Sequence, residues 1–330
     1  MDEIKISVIS NIEELPTTDN ANYFHSRQLF ELCHQTPRHR PYMAVAQTAD
    51  GRVVGHLLGI VRYRTSWFPP YLYAHCRVLG EGVYSPELGN SIPTTREQLF
   101  GMLIDSLKQK LQKRILYLEV SHLSTKMFGY REFRRARFFP VHWMSIHNSL
   151  HSHTPEERIS EKMKKRIDNA YEHGVSTGEV ETDEDFTAFS KLLRQHNFLK
   201  PKRYVPDDAF FKGIQQRGDG RLFVTRYKNR VIGCSACVYS QQNAYLWYAA
   251  FRRKSFAVVH PDVLTIWHAI KDAHQRGYQH IFFLDVGLPF SNNPYREFIL
   301  RFGGKPVSTY RWFHCPIKWI NRLLSYIYRE

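Results

Sequence analysis

No stretch of this 330-residue sequence approaches the roughly 18 consecutive apolar residues that a membrane-spanning helix requires. The opening MDEIKISVIS has no cationic start leading into an apolar run, so no secretory signal is read there and a cytoplasmic chain is expected. Cysteine is scarce and odd in number: Cys33, Cys76, Cys234, Cys237 and Cys315 fit reduced thiols better than a disulfide framework. Two of them form a Cys-x-x-Cys within NRVIGCSACVY, but no second such pair and no Cys-His pair at chelating spacing completes a zinc site. The run reads as a strand, on which residues three apart point to opposite faces, so the pair carries no redox role either.

Acidic side chains are also in short supply. Lysine and arginine number 46 against 31 Asp and Glu, a net charge of +15. Such an excess fits a polyanionic partner: RNA, an anionic membrane surface or a phosphate-bearing small molecule. A merely solvated basic surface is the plainer alternative. What is plentiful is apolar: 43% of residues are hydrophobic and 14% aromatic, against 23% charged, the composition of a folded chain. The length suits two domains of about 150 to 170 residues.

The two halves echo one another. Gly55 in GRVVGHLLG has a counterpart in Gly233 of NRVIGCSAC, and each is followed by an aromatic segment, YLYAHCRV from Tyr71 and AYLWYAAFRR from Ala244. Amphipathic helices are expected next, over 95–113 with Leu99, Met102, Leu103, Leu107 and Leu111 on one face, and over 261–276 with Val263, Ile266, Trp267 and Ile270. Thr94 or Thr95 would cap the first, and Gly277 would stop the second. Apolar strands ending in a carboxylate follow, ILYLEV with Glu119 and IFFLDV with Asp285, and then RARFFPV and LRFGGKPV. This order predicts a tandem α/β unit, with domains over 1–152 and 153–315 and a C-terminal tail over 316–330.

The order of hairpin, aromatic strand, helix, apolar strand, helix and final strand resembles the GNAT acyltransferase fold. Two copies in one chain resemble the Fem-type aminoacyltransferases. The motifs are KMKKRIDNAYEHGV (162–175), LWYAAFRRKSFAVVHPDVLTIWHAI, FLDVGL and REFILRFGG. The resemblance implies two mixed α/β units and acyl or aminoacyl transfer from an activated donor to an amine, on a cell-wall or lipid precursor among the candidates. It implies no tightly bound cofactor, with acyl-CoA or aminoacyl-tRNA as the donor. In the Fem enzymes a lysine commonly follows the first Phe of the last motif. Here Ile299 stands in that place, which weighs against aminoacyl-tRNA.

Acyl transfer to an amine needs a proton acceptor and dipoles for the tetrahedral oxyanion. In GNAT-like sheets a splay between two strands exposes backbone N–H groups for the second task. Asp285, at a strand end where α/β sites gather, is the first candidate for the proton, with a loop-capping carboxylate as the structural alternative. Tyr248 in the aromatic strand and His260 before Pro261 join it as catalytic candidates. Donor-binding candidates are Lys165 and Arg166 of the basic helix, Trp247, Arg252, Arg253, Glu119 and Arg296. Alternation sets Trp247 and Tyr248 on opposite faces, so one of them at most would line a cleft. A pyrophosphate loop is not read cleanly, because 252–262 lacks a glycine.

The segment CPIKWINRLLSYIYRE has an apolar stripe opposite Lys318, Arg322 and Arg329. That composition suits an interfacial helix and equally a terminal helix docked on the first domain; docking is expected, with peripheral contact at an anionic inner membrane face left open. The competing function is a non-catalytic basic module of the same fold that binds RNA, tRNA included, or an anionic membrane.

Overall fold

The computed structural model describes residues 4–18, 21–66, 71–89, 92–198, 204–284, 286–287 and 292–328. The chain forms two compact units, one of residues 1–143 with 308–330 and one of residues 144–307. The sequence pattern places the boundary after residue 152. The chain instead passes between units inside two strands.

The first unit contains β1 (Lys5–Ile9), α1 (Arg27–Gln35), β2 (His39–Gln47), β3 (Val53–Ser66), β4 (Tyr71–Leu79), the short β5 (Val83–Tyr84), α2 (Arg96–Leu111), β6 (Tyr117–Ser121), α3 (Tyr130–Arg135) and the start of β7 (Phe139–Ser149). The second unit takes the end of β7, then α4 (Glu161–Glu172), β8 (Val175–Glu179), α5 (Asp183–Asn197), α6 (Asp208–Arg217), β9 (Gly220–Tyr227), β10 (Arg230–Ser240) and β11 (Asn243–Phe251). It continues with α7 (Pro261–Gln275), β12 (His280–Phe283), α8 (Pro294–Leu300) and the start of β13 (Lys305–His314). The remainder of β13 and α9 (Lys318–Ile327) belong to the first unit.

Each unit repeats one strand pattern. In the first, β1, β2, β3 and β4 pair antiparallel in sequence, β6 joins β4 in parallel, and β13 closes antiparallel to β6 through Trp312↔Val120 and His314↔Leu118. In the second, β8, β9, β10 and β11 are antiparallel, β12 lies parallel to β11, and β7 closes antiparallel to β12 through Ser149↔His280 and Ile146↔Phe283. The strand that completes each sheet therefore comes from the other half of the sequence. A pattern search reads final strands as local, and that is why its boundary misses this exchange.

The repeated helices cover equivalent faces. Leu99, Leu103, Leu107 and Leu111 of α2 are fully buried against Leu57, Val61, Cys76 and Val78, each worth about 2 kcal/mol relative to exposure. Thr95 caps this helix in a reciprocal box with Gln98. In the second unit Val263, Ile266, Trp267 and Ile270 of α7 fill the same role, and Gly277 ends the helix at φ 77°.

The echoed glycines have a common physical cause. A Cβ at Gly55 would sit 3.0 Å from Leu99 of α2, and one at Gly233 only 2.0 Å from the Thr265 hydroxyl of α7. Both mark where a helix presses onto a strand. Gly233→Ala is expected to destabilise the protein by about 1–3 kcal/mol through overpacking, with Thr265→Ala in the same chain recovering part of the loss. Urea unfolding measures both; an unshifted midpoint for Gly233→Ala would rule out a tight approach.

Candidate active site in the second unit

Gly233 pairs with Phe251, the last residue of β11. The close approach it permits brings the first turns of α7 down onto the strands there. β12 stays in register with β11 only from Asn243↔His280 to Leu246↔Phe283. Among the described residues, Trp247–Phe251 run beyond the last rung. The Arg252 N–H donates to Ile232 O of β10 at 2.8 Å, so alternation turns the N–H groups of Phe251 and Ala249 the other way, toward the side β12 has left. Two neighbouring backbone donors on an open strand edge are what a developing oxyanion needs. In the first unit β4 remains paired to its last residue, Leu79↔Ser121, and Gly80 N–H donates to Ser121 O at 2.8 Å. Among the described residues the ladder stops short of the strand end in the second unit, whereas the first keeps its corresponding edge paired.

Charged groups gather at the start of α7. His260 precedes Pro261 with left-handed backbone angles, φ 43° and ψ 55°, an uncommon conformation for a residue with a side chain. Arg253 Nε meets Asp262 Oδ2 at 3.3 Å, and Asp262 is 4% exposed. The other Asp262 oxygen is buried with no hydrogen-bond partner among the described residues. Burial first, then the guanidinium of Arg166 from α4 and more weakly that of Arg253, hold the His260 imidazole below its ordinary range against the opposing pull of Asp262. The shift favours the neutral imidazole. Arg252 donates to Gln195 Oε1 at 3.3 Å, and Phe251 packs on His196 and Phe298 at ring distances of 5.2 and 6.1 Å.

Three sequence candidates thus converge here, His260, Arg166 and Arg253, while Arg252 turns to Gln195 of α5. Lys165 lies exposed on α4 beside Arg166. Asp285 lies outside the described residues. Arg296 is 7% exposed on α8, with its Nε 3.8 Å from Glu297. Glu119 belongs to the first unit, where Arg77 Nε and Arg311 Nη1 approach the same carboxylate oxygen at 3.4 and 3.1 Å in a buried ion group. Arg311 also stacks 3.9 Å above the Trp143 ring.

Trp247 and Tyr248 depart from the expected alternation. Their rings lie 6.0 Å apart and nearly parallel, and they pack on Phe210 and Phe211 of α6. A bulge between Ala236 and Cys237 of β10 faces an extra residue in β11, Trp247, and this shifts the side-chain phase. Both rings are buried, 5% and 6% exposed. Cys234 and Cys237 are buried and free, and burial raises both thiols. Asp262 escaped the sequence reading because an acid in a first helical turn ordinarily serves the helix dipole.

Residues 160–297 match the acetyltransferase (GNAT) domain family. Over most of its length the chain has a tandem GNAT-like fold. It is similar to the crystal structure of FemX, with a TM-score of 0.60 and 11% identity over 95% of this chain and 96% of that one. The C-terminal domain of a putative lysylphosphatidylglycerol synthetase from Agrobacterium fabrum is similar over 83% of this chain and 88% of its own, with a TM-score of 0.54 and 10% identity. A tandem GNAT protein from the clavulanic acid biosynthesis pathway matches over 95% and 99%, with a TM-score of 0.53 and 12% identity. No curated protein sequence matches. At these identities the likeness is one of fold, and at that level the Fem-type resemblance holds. Among the described residues no group of His, Cys, Asp and Glu is arranged to hold a metal.

The His260 environment makes a testable statement about pH. A histidine whose folded pKa is depressed favours the folded state while it is neutral, and that contribution is lost as pH falls below the unfolded value of about 6.5. An NMR titration, with the resonance assigned by His260→Asn, is expected to give a midpoint below that of an ordinary histidine. Arg166→Gln should move the midpoint upward. A midpoint insensitive to Arg166 would separate the two groups.

Proposed function

We propose that this chain is an N-acyltransferase whose cleft lies in the GNAT domain of the second unit. One observation carries the reading: β12 leaves β11 after Leu246, so the Ala249 and Phe251 N–H groups face an open edge beside a cationic helix start. An amine attacks the donor carbonyl and a C–N bond forms. The carbonyl oxygen becomes an oxyanion that the two N–H groups stabilise. The amine proton passes to a base, the carbon–donor bond breaks, and the departing thiolate or alkoxide is protonated. Mutational losses of a single oxyanion donor give the scale, about 3 to 4 kcal/mol of barrier.

Asp285 is the first candidate for the proton, on the strength of its place after β12, and His260 the second, as a neutral imidazole near the opening. Arg252, Arg253, Lys254, Lys165 and Arg166 suit a phosphate-bearing donor, either acyl-CoA or aminoacyl-tRNA. Trp247 and Tyr248 shape the strand from its buried side and are not assigned contact with substrate. For the acceptor we favour an amine on a cell-wall or lipid precursor. Its support is the likeness in fold to FemX and to a putative lysylphosphatidylglycerol synthetase.

Donor binding and turnover test this reading. A donor present at a hundred times its Kd stabilises the folded state by about 2.7 kcal/mol. Thermal melting with acetyl-CoA, longer acyl-CoAs and an aminoacyl-tRNA should show a rise for one class, and mass spectrometry of an amine acceptor should then show the acyl adduct. Absence of any shift and any adduct would overturn the transferase reading; RNA binding with steep salt dependence and no adduct would replace it with the binding module. Asp285→Ala is expected to lower kcat by about 10²- to 10⁴-fold with donor Kd unchanged. If kcat is retained, Asp285 leaves the mechanism and His260→Asn should show the loss instead.

A further inference from the structure

The helix α9 is attached to the first unit through a mixed side, with Asn321 buried and Ile320 and Leu324 half-buried. Asn321, 7% exposed, accepts from the Cys315 N–H at 2.8 Å and donates to Arg137 O at 2.9 Å. The Tyr328 ring lies parallel to Phe139 at 5.9 Å. The side turned outward is apolar. Trp319 is 68% exposed, Leu323 50%, Tyr326 69% and Ile327 59%. At about 100° per residue these four side chains share one arc of roughly 100°, with Lys318 and Arg322 along one rim and Asn321 on the opposite side.

An amphipathic helix that docks to bury surface does the reverse. It turns Leu, Ile and Trp inward and leaves Asn in water. Scattered exposed apolar residues are ordinary, but four large ones on one short helix face form a contiguous patch. The composition of the patch names its partner class. Tryptophan and tyrosine prefer the boundary between hydrocarbon and water, Leu and Ile enter the acyl region, and Lys or Arg at the rim meets anionic headgroups. No acidic residue occurs within α9. The segment that holds Asn321 adds to the positive field, since Arg131, Arg134, Arg135 and Arg137 are all exposed.

We propose that α9 is a membrane-contact helix, which seats the first unit on an anionic lipid bilayer through Trp319, Leu323, Tyr326 and Ile327 with Lys318 and Arg322 at the headgroups. No helix among the described residues is long and apolar enough to cross a membrane, so the contact lies in the interface plane. The assignment is independent of the transferase chemistry. It gives the chain a peripheral membrane address whether or not the cleft turns over a substrate.

Flotation of the full chain with vesicles tests it, using phosphatidylcholine alone and an equimolar mixture with phosphatidylglycerol. Binding is expected to the anionic vesicles at low salt and to weaken as salt rises. The variant Trp319→Ser/Leu323→Ser/Ile327→Ser changes only exposed positions and should reduce the partition coefficient by at least about tenfold while thermal melting stays unchanged. The variant Lys318→Gln/Arg322→Gln should lose about fivefold per cation, on anionic vesicles alone. Absence of binding to anionic vesicles at low salt, or equal binding by the triple-serine variant, would overturn the proposal. So would a dimer in sedimentation analysis that the triple-serine variant converts to monomer, because a second copy would then cover the face.

Discussion

The first unit depends on a strand that it does not encode locally. Its sheet ends at β6 until β13 returns, and the return delivers Trp312 into the core, stacked 4.5 Å from Phe133 and edge-on to Tyr130 at 5.3 Å. Without that ring the aromatic cluster under α2 and α3 would be left with a cavity, at a cost of about 3–5 kcal/mol for a residue of this size. The next residue inward on the strand, Arg311, brings its guanidinium to the buried Glu119 carboxylate, which Arg77 already approaches. Removing either arginine would leave charge buried with poorer compensation. Asn321 then fastens α9 to Arg137 O, so the orientation of the exposed helix face is set by the same returning segment.

In the second unit the governing constraint is the opposite one, a place where pairing stops. Backbone N–H groups buried inside a sheet must find partners, and most strands spend theirs on neighbours. Among the described residues β12 ends its pairing with β11 at Leu246, and Gly233 lets α7 come down close to that strand. Arg166 of α4 and Arg253 of the loop after β11 both act on His260, and Asp262 is a buried carboxylate at the same helix start. A site of this kind owes its chemistry more to backbone geometry than to any single side chain.

That division explains what was legible in the sequence. Gly55 and Gly233, the 3.6-residue periodicity of α2 and α7, and the short apolar strands before Glu119 and Asp285 are local signals, and each marks a real element or close approach. The fold follows from their order. Exchange of the final strands leaves no local trace, because RARFFPV and LRFGGKPV read alike whichever sheet they join, and the inferred boundary at residue 152 suffered for it. The bulge opposite Trp247 hides in the same way: a period-two reading assumes an unbroken ladder, and one extra residue reverses it for Tyr248. Glu119 and Asp285 have similar sequence contexts, yet Glu119 sits between Arg77 and Arg311, partners separated from it by long stretches of chain.

The division of the chain into one continuous and one interrupted unit also sets an order of events during synthesis. Residues 144–307 contain all that the second unit needs, including its closing strand β7, and can condense as soon as they have been made. Residues 1–143 are made earlier but must wait, with the edge of β6 and the pocket for Trp312 unfilled, until residues 308–314 are available. The part of the protein translated first is the part completed last. For that interval the β6 edge is an unpaired strand edge of the kind that invites mispairing.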